Sequence, residues 1–304
     1  MNTDNYGFNG ILPVNKPAGF TSFDVIAKLR GILKMKRLGH GGTLDPMATG
    51  VLPVFAGKCT RACDILPTNE KRYTAGFHLG IETDTQDSTG TVLREQPSAV
   101  TAQELTAAFA TRTGEIEQLP PMFSAVSVGG KRLYEYARDG VEIERAARTV
   151  TVKAFTLLTF DEQTQCGTAD ILCSKRTDVR TLLHDAGQAL GVGAVMTSLE
   201  RTLSGGIALA DCLTLAQIEV LAQSGTIANA LIKPDAVFAS YEALTLDARL
   251  SALYLNGVKL NLSQVLSIMP EQEALYRVYG ADGVFLGLAR ADLTEQLLRV
   301  YRNF

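Results

Sequence analysis

The sequence predicts an α+β fold in two domains, and three observations carry the prediction. The chain has 304 residues, 46% hydrophobic and 20% charged, a mix that packs as a globular protein. At roughly 150 residues per domain, the length suits two units. Segments that alternate apolar and polar residues at a period of two interleave with capped segments at helical spacing. Near residue 243 the texture changes to short strands and turns, which sets off a small C-terminal β-rich domain. The expected domains are residues 1–242 and 243–304.

The elements follow in order. Residues 11–14 are a short apolar run, and Asn15-Lys16-Pro17-Ala18-Gly19 turns the chain. Thr21 and Ser22 then cap a helix whose apolar residues Val25, Ile26, Leu29, Ile32 and Leu33 share a face. Residues 39–50 form a glycine-rich loop. Tyr73, Ala75, Phe77 and Leu79 alternate with Thr74, Gly76 and His78, a strand pattern. Thr101 with Glu104 is a capping box, opening a helix that the sequence carries to about Gly114. Residues 150–160 and 169–174 read as strands, and residues 181–190 as a helix ended by Gly191. Thr214 with Gln217 opens another helix, ended by Gly225. Residues 275–279, a turn at Gly280-Ala281-Asp282-Gly283 and residues 284–286 read as a β-hairpin.

Charge and side-chain chemistry exclude several classes. The net charge of −3 rules out a polybasic nucleic-acid coat. That total hides an asymmetry: residues 16–37 carry six basic residues and one acid, whereas residues 82–117 carry seven acids and two arginines. Cys59, Cys63, Cys166, Cys173 and Cys212 are scattered and His40, His78 and His184 are far apart, so neither a disulfide framework nor a metal site is expected. No apolar run reaches the ~18 residues that span a bilayer. Residues 1–10 lack the basic and apolar regions of a signal peptide, and a cytoplasmic location is expected. Gly191-Val192-Gly193 lacks a third glycine and follows a helix, and Gly57-Lys58 lacks the Ser/Thr of a P-loop. No cofactor is expected.

The informative segment is Gly39-His40-Gly41-Gly42-Thr43-Leu44-Asp45-Pro46-Met47-Ala48-Thr49-Gly50-Val51-Leu52. Its glycines let the backbone approach a ligand or take positive φ, and Pro46 biases Asp45 to an extended conformation. Taken alone, Asp45 could simply close an Asx-turn. The whole segment, however, resembles the catalytic loop of the TruB family of tRNA pseudouridine synthases, G-H-x-G-x-L-D-P-x-A-T-G-x-L, with every fixed position filled. Lys16-Pro17-Ala18-Gly19-Phe20-Thr21-Ser22 is similar to the family's opening K-P-x-G-x-T-S. Lys71-Arg72-Tyr73 is similar to its K-x-Y strand, and Pro120-Pro121-Met122-Phe123-Ser124-Ala125 with residues 131–138 to the segment that follows. Ser174-Lys175 and Arg180 match its S-K-G-T-Y-I-R motif, and residues 276–289 resemble the PUA-like tail of bacterial members.

The resemblance implies a mixed, mostly antiparallel sheet flanked by helices, followed by a PUA-like RNA-binding domain. It implies conversion of one uridine of the tRNA T loop (position 55) to pseudouridine, by a monomer acting on tRNA with no metal and no membrane. Asp45 would be the catalytic carboxylate, either as nucleophile or as base toward the ribose. It would be kept charged by Arg180. Tyr73 would stack on the flipped uracil and serve the proton step at C5, against Leu199. His40 would fill the space that the flipped base leaves. Lys16 would support the floor of the site. Lys131, Arg132, Arg138, Arg145 and Arg148 are candidate phosphate contacts, although Glu135, Asp139, Glu142 and Glu144 among them also fit a solvated ion-pair face.

The chain departs from the family pattern after Leu199, where the family usually has basic residues and here Glu200 precedes Arg201, and at two positions of the S-K-G-T-Y-I-R motif. Arg176 stands where the motif has glycine, and Asp178 where it has tyrosine. A carboxylate there would repel a phosphate and removes a stacking ring, so no substrate-binding role is assigned to Asp178, and Arg176 could offset its charge. Two other functions fit the same residues. One is a tRNA-binding or tRNA-folding protein with weak or no synthase activity. The other is a hydrolase using Asp45 as an aspartyl nucleophile, which would need a metal.

Overall fold

The computed structural model describes residues 8–124, 126–266, 270 and 272–304. Residues 1–7, on which the leader expectation rests, and Ala125 of the 120–125 segment lie outside them.

The chain opens with strand β1 (Gly10–Lys16) and helix α1 (Ser22–Leu33). Thr21 caps α1 by a reciprocal bond with Asp24, and Val25, Ile26, Leu29 and Leu33 are the buried stripe that the spacing predicts. The glycine-rich segment is flanked by two strands, β2 (Leu38–His40) and β3 (Thr49–Ala56), so the true loop is shorter, residues 41–48. Strand β4 (Lys71–Leu79) is where the alternation places it. A small hairpin follows, β5 (Ile81–Thr83) with β6 (Val92–Glu95).

Helix α2 (Ala102–Ala110) has its capping box but stops at Ala110, earlier than expected. Gly114, with φ +90°, instead turns the chain into β7 (Gly114–Gln118). The short pair β8 (Ser127–Val128) and β9 (Lys131–Arg132) precedes helix α3 (Leu133–Arg138). Strands β10 (Arg148–Asp161) and β11 (Cys166–Cys173) lead to helix α4 (Val179–Ala189). Next comes β12 (Ala194–Ser204), which the sequence reading did not anticipate, then β13 (Ile207–Ala208) and helix α5 (Leu215–Gln223).

The large sheet runs β1-β3-β12-β4-β11-β10-β7, with β2 on β3 and β13 on β12. Every pairing in it is antiparallel except β3 with β12. That parallel junction needs a glycine. Gly50 has φ +98°, and a Cβ there would lie 2.3 Å from the Arg201 carbonyl oxygen. Helices α2 and α4 cover one part of the sheet around Phe77, Phe109, Leu182 and Met196. Helices α1 and α5 cover another around Leu29, Leu52, Val54 and Ile218.

A second, five-stranded sheet is built from β14 (Glu242–Thr245), β15 (Leu260–Asn261), β16 (Leu275–Tyr279), β17 (Phe285–Asp292) and β18 (Leu297–Asn303). Its order is β14-β16-β17-β18-β15, and β16–β17 is the hairpin that the turn residues predict. This sheet has its own core around Leu244, Tyr254, Val278 and Leu298. A further cluster joins it to the first sheet, with Leu288, Phe285 and Phe304 against Ile11, Val51 and Phe55.

Candidate active site

The segment around Asp45 is held by two cations and one hydroxyl. Lys16, fully buried, ends β1 and donates its Nζ to the carbonyls of Pro17 (3.0 Å), Phe20 (2.5 Å) and Pro46 (3.3 Å). The Gly19 N–H donates to the same Pro46 oxygen at 2.8 Å. At the start of α1, Ser22 Oγ accepts from the Leu44 N–H (2.8 Å) and donates to the Leu44 carbonyl (3.2 Å). Arg201 on β12, also fully buried, donates to Val51 O (2.7 Å), Gly42 O (3.0 Å) and Thr43 O (3.4 Å). Gly42, at φ +84°, lies so close to Lys71 that a Cβ would come within 2.9 Å of its Nζ. The backbone on both sides of Asp45 is therefore fixed by charged donors that have given their hydrogen bonds to carbonyls.

Asp45 turns toward Arg180, with Oδ2 3.5 Å from Nε, and keeps 38% of its side-chain exposure. Arg180 lies in the first turn of α4, 8% exposed, and meets two further carboxylates: Asp178 Oδ2 at 3.0 Å and Asp87 Oδ2 at 3.6 Å. Asp87 is aimed by its neighbours, because its Oδ1 accepts from Thr85 Oγ1 (2.9 Å), Thr89 Oγ1 (2.5 Å) and the Thr89 N–H (2.9 Å). Burial opposes the charge on Arg180, but the three acids, Asp178 foremost, more than offset this and hold it firmly protonated. Burial pushes the Asp45 carboxyl above the usual carboxylate value. Arg180 pulls it down, Asp178 and Asp87 push it up, and Lys16 pulls it down. Burial likewise lowers Lys16 to about 8 against the attraction of Asp45.

A cleft of about 660 Å³ is lined by Asp45, Tyr73, Arg180 and Leu199, together with Lys71, Arg148 and Asp178. That is the size of a small-ligand pocket. The Tyr73 phenol on β4 is pushed up to about 12 by burial, with Arg201 acting the other way, so it stays protonated at neutral pH. Leu199, 7% exposed on β12, packs with Tyr73 in one core cluster. An adjoining cavity of about 760 Å³ shares Asp45 and Arg180 and is lined by His40, Phe23, Arg132 and Arg138. Burial and then Arg201 push the His40 imidazole below its usual value, toward the neutral ring.

The structure thus brings Asp45, Tyr73, Arg180 and Leu199 into one cleft and sets His40 in the cavity next door. Lys16 lines neither cavity; it lies beneath the loop. Among the basic candidates, Lys131 is paired with Asp139 at 2.5 Å and Arg145 with Glu142 at 3.2 Å. Arg132 and Arg138 face the second cavity. Arg148 faces the cleft, and its buried Nε has no hydrogen-bond partner among the described residues.

Sequence reasoning missed Asp87 and Arg201. The alternation Thr85-x-Asp87-x-Thr89 was a usable sign of a carboxylate held in place. Arg201 carried no sign, because its role depends on β12. Asp178 does not repel a ligand in open space; it caps α4 through the Arg180 N–H (3.1 Å) and grips the Arg180 guanidinium.

Comparison with known proteins agrees with this geometry. Residues 30–179 match the family model for the N-terminal domain of TruB family pseudouridylate synthases. Residues 180–236 match the C-terminal domain model of tRNA pseudouridylate synthase B. The chain is 40% identical over 285 residues to a tRNA pseudouridine synthase B of Clostridium perfringens, covering 93% of this chain and 95% of that one. It is 44% identical over 285 residues to one of Levilactobacillus brevis, covering 88% and 94%. In fold it is similar to a solved Cbf5-Nop10-Gar1 complex, with TM-score 0.73 and 24% identity over 100% of this chain and 91% of the matched chain. It is also similar to an H/ACA RNP bound to a substrate RNA containing 2'-deoxyuridine, with TM-score 0.71 and 23% identity over 97% and 84%. With the catalytic-loop pattern complete and the relatives aligned over nearly their whole length, the chain belongs to the TruB family of pseudouridylate synthases, enzymes that isomerise uridine.

Proposed function

We propose that this enzyme converts the uridine at position 55 of the tRNA T loop to pseudouridine, with Asp45 as the catalytic carboxylate. The observation that carries the reading is the convergence of Asp45, Tyr73, Arg180 and Leu199 on one cleft of nucleotide size. The uridine leaves the stack at a cost of a few kcal/mol, and the neutral His40 ring at the neighbouring cavity offsets part of it by stacking in the T loop. The base lies between Tyr73 and Leu199. Asp45 promotes cleavage of the N1 glycosidic bond, either by attack or by removing a ribose proton. The base rotates and the ribose carbon bonds to C5. The C5 proton leaves and N1 ends protonated, so no redox equivalent enters or leaves. Arg180 keeps Asp45 charged, and Tyr73 lines the same cleft as the base, to serve the proton step at C5.

Arg132, Arg138 and Arg148 are read as backbone-phosphate contacts. The sheet from residue 243 onward is read as a second, PUA-type RNA-binding domain, supported by its own core. The enzyme acts in the cytoplasm as a monomer; no helix among the described residues is long and apolar enough to cross a membrane. The test is twofold. Pseudouridine is mapped in tRNA from cells lacking the gene, and tritium release from C5-labelled tRNA is measured for wild type and Asp45→Asn. Loss of the modification at position 55 and an inert Asp45→Asn protein are the expected results. Robust release by Asp45→Asn would overturn the assignment of Asp45.

A further inference from the structure

The geometry points to Asp178 as a positioning residue that takes the better edge of Arg180 for itself and leaves Asp45 loosely paired, so that Asp178 sets the pH at which the catalytic carboxylate becomes active. This rests on the reading of Asp45 above. A guanidinium offers its Nε/Nη2 edge as a two-pronged donor that suits one carboxylate. Here Asp178 occupies that edge, with Oδ2 3.0 Å from Nη2 and Oδ1 3.3 Å from Nε. Asp45 shares the same Nε from 3.5 Å. The far nitrogen, Nη1, faces Asp87 at 3.6 Å and the Thr85 carbonyl at 3.5 Å. Three acids therefore divide one cation, and the catalytic one has the weakest hold on the shared edge.

Asp178 is itself rigidly placed. Its N–H donates to Gln118 Oε1 (2.8 Å), and Gln118 Nε2 donates to its carbonyl (2.9 Å). Gln118 is fully buried at the end of β7. The Asp178 side chain is 12% exposed and caps α4, so it cannot swing away without uncapping the helix. The charged groups around Asp45 are Arg180, Asp178, Asp87 and Lys16. Those around Asp178 include Arg148 and Tyr73 besides Arg180. Arg176 holds a left-handed backbone, φ +71°, which a glycine would adopt freely. An arginine kept there at some strain lines the same cleft.

The test uses Asp178→Asn, which keeps the shape and the helix cap while removing the competing charge. Two quantities are read: the acidic limb of the kcat–pH profile on tRNA, and the titration midpoint of the Asp45 carboxyl carbon by NMR of labelled free protein. Both are expected to move to lower pH by roughly half a unit or more, with KM changed less than about twofold. A role limited to capping α4, which the asparagine preserves, would leave both midpoints where they are in wild type. An unmoved or raised midpoint overturns the proposal. Activity in Asp45→Asn would overturn the reading of Asp45 as the catalytic group, while the NMR midpoint would still judge the coupling between Asp178 and Asp45.

Discussion

Ser22 and Leu44 exchange a reciprocal pair of hydrogen bonds, one hydroxyl both accepting from the Leu44 N–H and donating to its carbonyl. Both residues are buried, and Leu44 immediately precedes Asp45. The start of α1 is thereby stapled to the residue before Asp45, the proposed catalytic carboxylate. Ser22→Ala leaves two buried backbone groups unpaired, a cost of about 1–3 kcal/mol. Hydrogen exchange across residues 41–48 should quicken and kcat should fall more than KM rises. Unchanged exchange at Leu44 would show that the staple is dispensable.

In the proposed reaction Asp45 must be charged to act. Burial holds its carboxyl above the ordinary carboxylate value, and Asp178 and Asp87 add to the rise that Arg180 and Lys16 oppose. Activity is therefore present above that raised value and is lost as pH falls through it. The acidic limb of kcat lies at a higher pH than a solvated aspartate would set. A kcat that stays flat down to the pKa of free aspartate contradicts this.

Arg180 neutralises a cluster rather than a single acid. Arg180→Met should destabilise the fold by about 3–5 kcal/mol at pH 7, because it strands the buried Asp87 and Asp178 beside Asp45. Without Arg180 to pull it down, the Asp45 carboxyl titrates at higher pH than in wild type, so the variant's Tm should recover relative to wild type as pH drops. Thermal melts between pH 4.5 and pH 8 read this out; a pH-independent deficit would mean that the loss is packing alone.

Gly50→Ala tests the parallel junction of β3 and β12. The added Cβ meets the Arg201 carbonyl at 2.3 Å and sits at φ +98°, so the loss should exceed ~1 kcal/mol. Because Arg201 also anchors Gly42 and Thr43, kcat should fall with Tm. A wild-type Tm would refute the clash.

Lys71 lines the cleft, and burial, with Arg201 beside it, lowers it to about 8. Only its protonated form attracts a phosphate. Affinity for tRNA should therefore decline as pH rises through about 8, and Lys71→Arg should flatten that decline. Binding isotherms between pH 7 and pH 9.5 decide it, and an unaltered slope in the variant removes Lys71 from the contact.

Much of this architecture was legible because local chemistry specified it. The capping boxes at Thr21, Thr101 and Thr214 are all formed, and the alternation of residues 73–79 places Tyr73 on a strand. The end of α2 was misread, because nothing in Thr111-Arg112-Thr113 forbids a helix and Gly114 merely shapes the next strand. Strand β12 escaped notice since Ser198, Glu200 and Arg201 interrupt any clean alternation. Its pairing with β4 and β3 decides its state, and register shifts accompany it. The site residues were legible as a motif. Their electrostatics were not, since the meeting of Asp45, Asp87 and Asp178 at Arg180 depends on three segments far apart in sequence.

The cluster that joins the two sheets has a consequence for biosynthesis. Ile11 and Phe55, from the first strands made, bury their outer faces against Phe285, Leu288 and Phe304. Ile11 also exchanges backbone hydrogen bonds with Ile232. While the ribosome is still translating residues 285–304, β1 and β3 have only the earlier members of this cluster, Cys59, Ala62, Ile207 and Phe238 among them, to cover them on this side. Contacts this distant in sequence are slow to form, and such a nascent chain is exposed to aggregation until residues 285–304 emerge. Residues 285–304 therefore complete the core under β1 and β3, so a stalled ribosome releases a chain in which that core is left unfinished.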